Sequence, residues 1–397
     1  MPSGGDIMSD EVAPQRLSAA LLTPVGRGAV ATIRVHGDLS ELDQRAPGLF
    51  HAANGRPLSQ QQIGRTAFGR WGGDSPAGED VVVCRVVVDS LEIHCHGGDA
   101  AVRRILNDLE QAGCPVLDWQ RQLAGMSDAL EADCAEMLSR ATTWRTAEIL
   151  HEQAGGLLRR AVEELLWSIA NPDPEPASTA IPKLDALLAW SGFGLHLSQP
   201  WNVVLTGRPN VGKSSLINAL LGYVRAIVFD QPGTTRDVVT AETAFDGWPV
   251  LLADTAGLRD AAEELEAAGI ALARLRLEEA DARLVLVDLN EPPTHEDETL
   301  IAHWPDAIVI GHKCDLGDRW KNRLPDGAIR ASSVTGQGLE EIQHRLVERL
   351  IPCVPPPGTP IPVTRRQVHL LELARRELLA SNPTGARQAI QKITAGK

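Results

Sequence analysis

The chain's absences narrow it before its motifs do. Over 397 residues it holds six cysteines, at positions 84, 95, 114, 134, 314 and 353, scattered and with no CxxC pair. Such sparse usage excludes a disulfide framework and reads as reduced thiols. No window approaches the roughly 18 unbroken apolar residues of a membrane-crossing helix, so no membrane association is expected. The opening MPSGGDIMSDEVAPQ has neither the basic start nor the apolar core of a secretory signal, and a cytoplasmic location is the expectation. Positive charge is in deficit too. A formal net charge of −14 argues against a surface that coats nucleic acid generally, while leaving room for a local basic patch. Long internal repeats are missing, and only one phosphate-loop pattern occurs.

Apolar residues make up 43% of the chain and charged residues 23%, enough for ordinary cores in roughly two to three domains. Residues 1–16 read as a flexible N-terminus. From 17 to 118, short apolar runs (AVATIRV, VVVCRVVV, LEIHC) mix with NG, GG and GD turn signals and one helix, AAVRRILNDLEQAG. That is the pattern of a small α+β domain. From 119 to 197 apolar residues recur at three and four, as in AEILHEQAGGLLRRAVEELLWSIA, giving a helical segment. Within it NPDPEPASTAIP (171–182) predicts a linker or loop, followed by a helix at about 183–191. From 198 to 352, NVVLTG, PVLLADT, ARLVLVDL, AIVIG and AIRASS alternate with helices. A mostly parallel sheet with helices on both faces follows, its ligand at the carboxyl ends of the strands. VPPPGTPIP breaks the chain before a last helical segment, 353–397.

The chemistry concentrates between 205 and 336. LTGRPNVGKSSL has the spacing Gly207-x4-Gly212-Lys213-Ser214, which lets backbone amides wrap phosphate at a helix N-terminus. Lys213 is placed to reach the β and γ phosphates, and the Ser214 hydroxyl to bind Mg²⁺. PGTTRD supplies Thr235 as a second magnesium ligand. DTAG brings Asp254 and Gly257, HKCD stands where a base-reading loop follows a strand, and SSVTG supplies a further loop. Asp315 can accept two hydrogens from guanine N1 and N2, a pair adenine does not offer, so GTP is the expected nucleotide. The nucleotide-lining set is therefore Asn210, Val211, Gly212, Lys213, Ser214, Ser215, Phe229, Asp230, Gln231, Pro232, Gly233, Thr234, Thr235, Asp254, Thr255, Ala256, Gly257, His312, Lys313, Cys314, Asp315, Ser332, Ser333 and Val334. His312 stands where an asparagine is usual. An imidazole has fewer hydrogen-bonding options than an amide, so His312→Asn is expected to tighten guanine-nucleotide binding. Neighbours on a strand point to opposite faces, so a metal site at His94, Cys95 and His96 is not expected.

With those residues in place, the chain resembles the tRNA-modification GTPase family MnmE (TrmE). LLTPVGRGAVATIRVHG (21–37), LEIHCHGGDAAVRRIL (91–106), GRPNVGKSSLINAL, GTTRD, DTAGLR and the trailing ITAGK carry the resemblance over nearly the whole chain. It implies an α/β P-loop G domain inserted in an all-α helical domain, preceded by a small α+β N-terminal domain that dimerises and binds folate. It further implies a potassium-stimulated GTPase whose G domains pair transiently, a flavoprotein partner resembling MnmG, and wobble-uridine modification of tRNA with 5-formyl-tetrahydrofolate as carbon source. Asn210, Phe229, Gln231 and Thr234 would then surround K⁺, and Glu266 would orient the attacking water beside Lys213 and Thr235. Arg34, Glu92 and Lys397 would hold the folate.

The chain also departs from that family. It has no lysine before Lys183, where the family carries an Asn-x-Lys stretch belonging to the folate site, and it ends Thr394-Ala395-Gly396-Lys397 where the family has Cys-x-Gly-Lys. Threonine is a far poorer nucleophile at neutral pH. The C-terminal segment is shorter by roughly one helix. Three readings stand at this point: a tRNA-modifying GTPase, a paralogue that kept the GTPase switch and lost the folate chemistry, and a ribosome-assembly GTPase of the Era/Der type. Arg365, Arg366, Arg375, Arg376, Arg387, Lys392 and Lys397, against Glu372 and Glu377, form either an RNA-facing patch or a solvated helix face.

Overall fold

Alternation of period two builds the first sheet. In strand β2 (Val30–His36) Ala31, Ile33 and Val35 are buried, and in β6 (Ser90–His96) Leu91, Ile93 and Cys95 are, so each strand turns one face inward. A computed structural model of the protein describes residues 17–26, 28–73, 78–171, 176–223, 240–254 and 277–395. The chain divides into two compact units, Met1–Asp128 and Ala129–Lys397.

In the first unit the elements run β1 (Ser18–Leu21), β2, α1 (Leu39–Arg45), β3 (Phe50–Ala52), β4 (Thr66–Trp71), β5 (Glu79–Val87), β6, α2 (Asp99–Gln111) and α3 (Trp119–Met126). The strands form one sheet in the order β1-β2-β6-β5-β4-β3, every neighbouring pair antiparallel. Ile105 and Leu109 of α2 enter the core with the inward strand residues. Trp71 is fully buried there, and its indole N–H is satisfied by Asp108 Oδ2 at 3.0 Å. The α3 helix packs on β1, where buried Gln122 donates its amide to the carbonyls of Ser18 (3.1 Å) and Arg34 (3.3 Å).

The second unit begins with helices α4 (Ala129–Ser139), α5 (Trp144–Ala154), α6 (Leu157–Ala170), α7 (Pro176–Leu188) and α8 (Ser191–Leu195). Here the structure corrects the sequence reading, because residues 176–182 lie inside a helix and not in a loop. A proline at the first helical position costs nothing, since its missing N–H would have no intrahelical partner. Pro182 is carried by packing, with Ala180, Leu184 and Leu187 buried in the helical core. The interior penalty of a proline is outweighed where flanking apolar residues find a core.

Then come β7 (Trp201–Thr206), α9 (Lys213–Tyr223), β8 (Thr240–Phe245), β9 (Trp248–Asp254), β10 (Ala282–Asp288), α10 (His295–His303), β11 (Ile308–His312), β12 (Ile329–Ala331) and α11 (Leu339–Leu350), followed by α12 (Arg365–Leu379) and α13 (Pro383–Ala395). The sheet order is β12-β11-β10-β7-β9-β8, parallel except for the β8–β9 hairpin. That hairpin turns at Asp246-Gly247, both at positive φ (48° and 77°), the Asp-Gly pair a tight hairpin favours. Strand β10 (ARLVLVD) is buried along almost its whole length, as a central parallel strand covered on both faces must be. Helices α12 and α13 return to the helical core, which takes in Leu150, Leu165, Leu371 and Ile390 together with Trp201 and Trp248 from the sheet.

Candidate functional site

The loop between β7 and α9 owes its shape to two glycines. Gly207 sits at φ +155°, and a Cβ there would lie 2.4 Å from the Leu286 carbonyl oxygen of β10. Gly212 sits at φ +99°, and a Cβ there would meet the His312 ring at 2.5 Å. Only glycine lets the loop backbone run this close to its neighbours. Asn210 takes a positive φ of 64°, a conformation asparagine tolerates better than most residues. Lys213, almost fully buried, turns its ammonium back to the carbonyls of Gly207 and Arg208, both at 3.0 Å.

Ser214, one residue into α9, donates its hydroxyl to Asp254 Oδ2 at 2.7 Å, and Asp254 ends β9 almost wholly buried. A hydroxyl and a carboxylate meeting at the carboxyl end of a parallel sheet make an oxygen-donor pair that suits Mg²⁺. Their chemistry fits that ion.

Across the loop, Lys313 at the end of β11 donates to Asp288 Oδ2 (2.6 Å) and to the Asn210 carbonyl (2.9 Å). Its own φ of 60° turns the chain so that Asp315 is exposed to solvent, free to meet a base. His312 is buried. Its Nδ1 lies 2.8 Å from the Val211 carbonyl and its Nε2 2.7 Å from Ser333 Oγ. Burial pushes its ionisation below the usual imidazole value of 6.5, and the Lys313 ammonium adds to this; the hydrogen bond to Val211 and the carboxylates of Asp288 and Asp315 pull the other way. The Ser332 hydroxyl, fully buried, accepts the amides of Val334 and Thr335 at 3.2 Å and so shapes the last loop. Ser215 and Val334 are exposed, and the Cys314 thiol lies 3.5 Å from Gln337 Oε1.

The structure thus gathers Asn210 to Ser215, Asp254, His312 to Asp315 and Ser332 to Val334 at one end of the sheet. Phe229, Asp230, Gln231, Pro232, Gly233, Thr234, Thr235, Thr255, Ala256, Gly257, Glu266 and Lys397 lie outside the described residues. Sequence reasoning missed two supports. Arg208, inside the loop, pairs with buried Asp297 (2.8 Å) and with Glu291 (3.1 Å), while Asp297 also closes a capping box with Thr294. The THED segment carries the capping signal; nothing in it announces the arginine. Asp288, the acceptor for Lys313, ends an apolar strand, and that position was its only clue.

In the first unit Arg34 and Glu92 are register partners on β2 and β6 and pair at 2.9 Å, each about a quarter exposed. Beyond Glu92, His94 Nε2 stands 3.9 Å from Oε2, and His94 Nδ1 meets Thr32 Oγ1 at 3.0 Å. Cys95 faces the core, where burial pushes its thiol up to about 11, and His96 contacts Glu79. A partly exposed carboxylate whose Oε1 is taken by its arginine suits, through Oε2, an amide–amine edge such as a pterin offers. In the C-terminal helices Arg366 pairs with Asp133 and Arg375 with Asp185, while Arg365, Arg376, Arg387 and Lys392 are exposed. The Thr394 hydroxyl donates to the Gln391 carbonyl.

Comparison with known proteins sorts these possibilities. The family model described as "50S ribosome-binding GTPase" matches residues 202–312. The tRNA modification GTPase MnmE of Geobacillus thermodenitrificans is 32% identical over 376 residues, 83% of this chain and 81% of its own. The chain belongs to the MnmE family. The MnmE protein of Lacticaseibacillus paracasei is 30% identical across 94% of this chain and 89% of its own, and that of Bacillus subtilis 33% across 75% and 73%. As a member of the MnmE family it is a GTP-hydrolysing enzyme of tRNA modification. Among the described residues no helix is long and apolar enough to cross a membrane.

Proposed function

We propose that this chain hydrolyses GTP with Mg²⁺ and a stimulating potassium ion, as one half of a homodimer that modifies the wobble uridine of tRNA. The Ser214–Asp254 contact, with Lys213 in the same loop and Asp315 exposed across it, is the observation that carries the nucleotide part. Ser214 and Thr235 would ligate the magnesium. Asn210, with Phe229, Gln231 and Thr234, would surround the potassium where positive charge is needed in the transition state. Glu266 would orient water. The G domain would span 198–352, inserted between helical segments 119–197 and 353–397. Two chains would dimerise through 17–118, and pairing of their G domains would be relayed along the helices.

Carbon would come from 5-formyl-tetrahydrofolate held by Arg34, Glu92 and Lys397, and the modification would need an MnmG-like flavoprotein. The family resemblance supports this, as does the Arg34–Glu92 pair on neighbouring strands. In purified protein, GTP hydrolysis with magnesium is expected to run faster in potassium than in sodium chloride, and equal rates would remove the cation from the scheme. A deletion strain is expected to accumulate unmodified wobble uridine by mass spectrometry of its tRNA. Unchanged modification would instead leave the chain a GTPase acting elsewhere.

A further inference from the structure

We infer that His312 fastens the guanine-reading loops onto the phosphate loop as a neutral Nδ1–H imidazole, and that this bridge makes nucleotide retention proton-sensitive. The inference rests on the GTPase reading for its ligand, while the bridge itself stands on the geometry. The Val211 carbonyl can only accept, so the nitrogen 2.8 Å from it, Nδ1, must carry a hydrogen. In the neutral ring Nε2 then bears a lone pair and accepts from the Ser333 hydroxyl at 2.7 Å. Both ring nitrogens are spent on protein partners. The ring also lies against Gly212, where no side chain has room. One buried side chain therefore joins the phosphate loop, the end of β11 and the loop at 332–334.

A second proton undoes half of that arrangement. Nε2 becomes a donor, so the Ser333 hydroxyl must reverse and give up its own donation to the ring. The new charge is created in a buried position. Around it stand Lys313 on the same strand end, Asp288 closing β10 and already bound to Lys313, Asp315 exposed on the following turn, and Lys213 on α9, whose ammonium is turned to Gly207 and Arg208. Neither carboxylate is hydrogen-bonded to the ring; its partners are Val211 and Ser333. Burial already holds the ring's ionisation down, in keeping with a bridge built for the neutral form. An asparagine at this position would not titrate.

The test is the release of a fluorescent GDP analogue between pH 5.5 and 8, compared among wild type, His312→Asn and Ser333→Ala. The bound diphosphate itself titrates in this range, so the difference between profiles is what counts. Wild type is expected to release nucleotide severalfold faster at the acid end than His312→Asn does. At neutral pH His312→Asn is expected to hold nucleotide at least as tightly as wild type. Ser333→Ala is expected to release it faster at neutral pH and to respond less to acid. ¹⁵N NMR of nucleotide-free wild type is expected to show the Nδ1–H tautomer. Parallel profiles for wild type and His312→Asn, or an Nε2–H tautomer, would overturn the proposal. Failure to bind guanine nucleotide at any pH would remove the ligand, with the NMR still deciding the bridge.

Discussion

At the scale of single residues, the nucleotide end of the molecule is arranged around buried polar groups whose partners lie on other strands. Asp315, unlike Asp254 and Asp288, is exposed, and its whole worth lies in the base it would meet. Asp315→Asn replaces an acceptor-only group with one that also donates. We expect GTP affinity to fall by about 100-fold or more and xanthosine triphosphate, which carries a carbonyl where guanine carries the amine, to be gained; competition binding with both nucleotides measures it. His312 has a consequence for stability as well. Its folded-state ionisation lies below the ordinary value of 6.5, so the unfolded chain takes up the proton first as pH falls. Its contribution is complete above about pH 6.5 and declines on acidification below that value. Cys114, whose thiol burial pushes up to about 12, stays protonated and inert across the same range.

Among elements, the best-defined junction outside the nucleotide site is the one that ties the last two helices to α4. Asp133 Oδ2 accepts from Thr364 Oγ1 (3.2 Å), Arg366 Nη2 (2.7 Å) and Gln367 Nε2 (3.1 Å). Arg366 in turn caps the carbonyls of Lys392 and Ile393 near the end of α13. One carboxylate thus orients the start of α12 and, through the arginine, the end of α13. Asp133→Ala is expected to cost about 1–3 kcal/mol, the range for losing charge-assisted hydrogen bonds. Urea unfolding of the full chain, followed by far-UV circular dichroism, reads it; an unchanged midpoint would show the junction to be idle. In the sequence, TRRQ announces a capping box at a helix start, and Thr364 and Gln367 do form one. That Asp133, more than two hundred residues earlier, completes it could not be read from either segment.

On the scale of the second unit as a whole, the nucleotide-bearing sheet and the helices share aromatic packing at the end of the strands away from the phosphate loop. Trp201 opens β7 and Trp248 opens β9; their rings meet edge to face at 5.9 Å, with Phe193 of α8 5.5 Å from Trp248. Arg145 of α5 lays its guanidinium over Trp248 at 4.5 Å and bonds Asp246 in the hairpin turn. His196 stacks on Trp201 and faces Asp281 just before β10. Movement of the sheet would reach the helices through this cluster. Trp248→Ala is expected to cost about 3–5 kcal/mol, the usual penalty for emptying a large buried aromatic site. If the cluster couples sheet and helices, the substitution should also slow turnover at saturating GTP, which steady-state kinetics on the folded variant would show.

Local patterns determined much of this protein. Glycine spacing before a lysine and a serine, apolar strands alternating with helices, and short apolar runs between turn signals ahead of a helical stretch are all patterns of residues close in sequence. These placed the phosphate loop, the parallel sheet and the small first sheet. The same local logic failed at 176–182, where two prolines outweighed apolar spacing on the page and packing reversed the balance in space. Tertiary structure alone decided the partners: Asp297 for Arg208, Asp288 for Lys313, Val211 and Ser333 for His312, Asp133 for Arg366. Each is a pairing of polar groups far apart in sequence, made necessary by burial, because a buried donor or acceptor left unmatched costs more than almost any single contact returns.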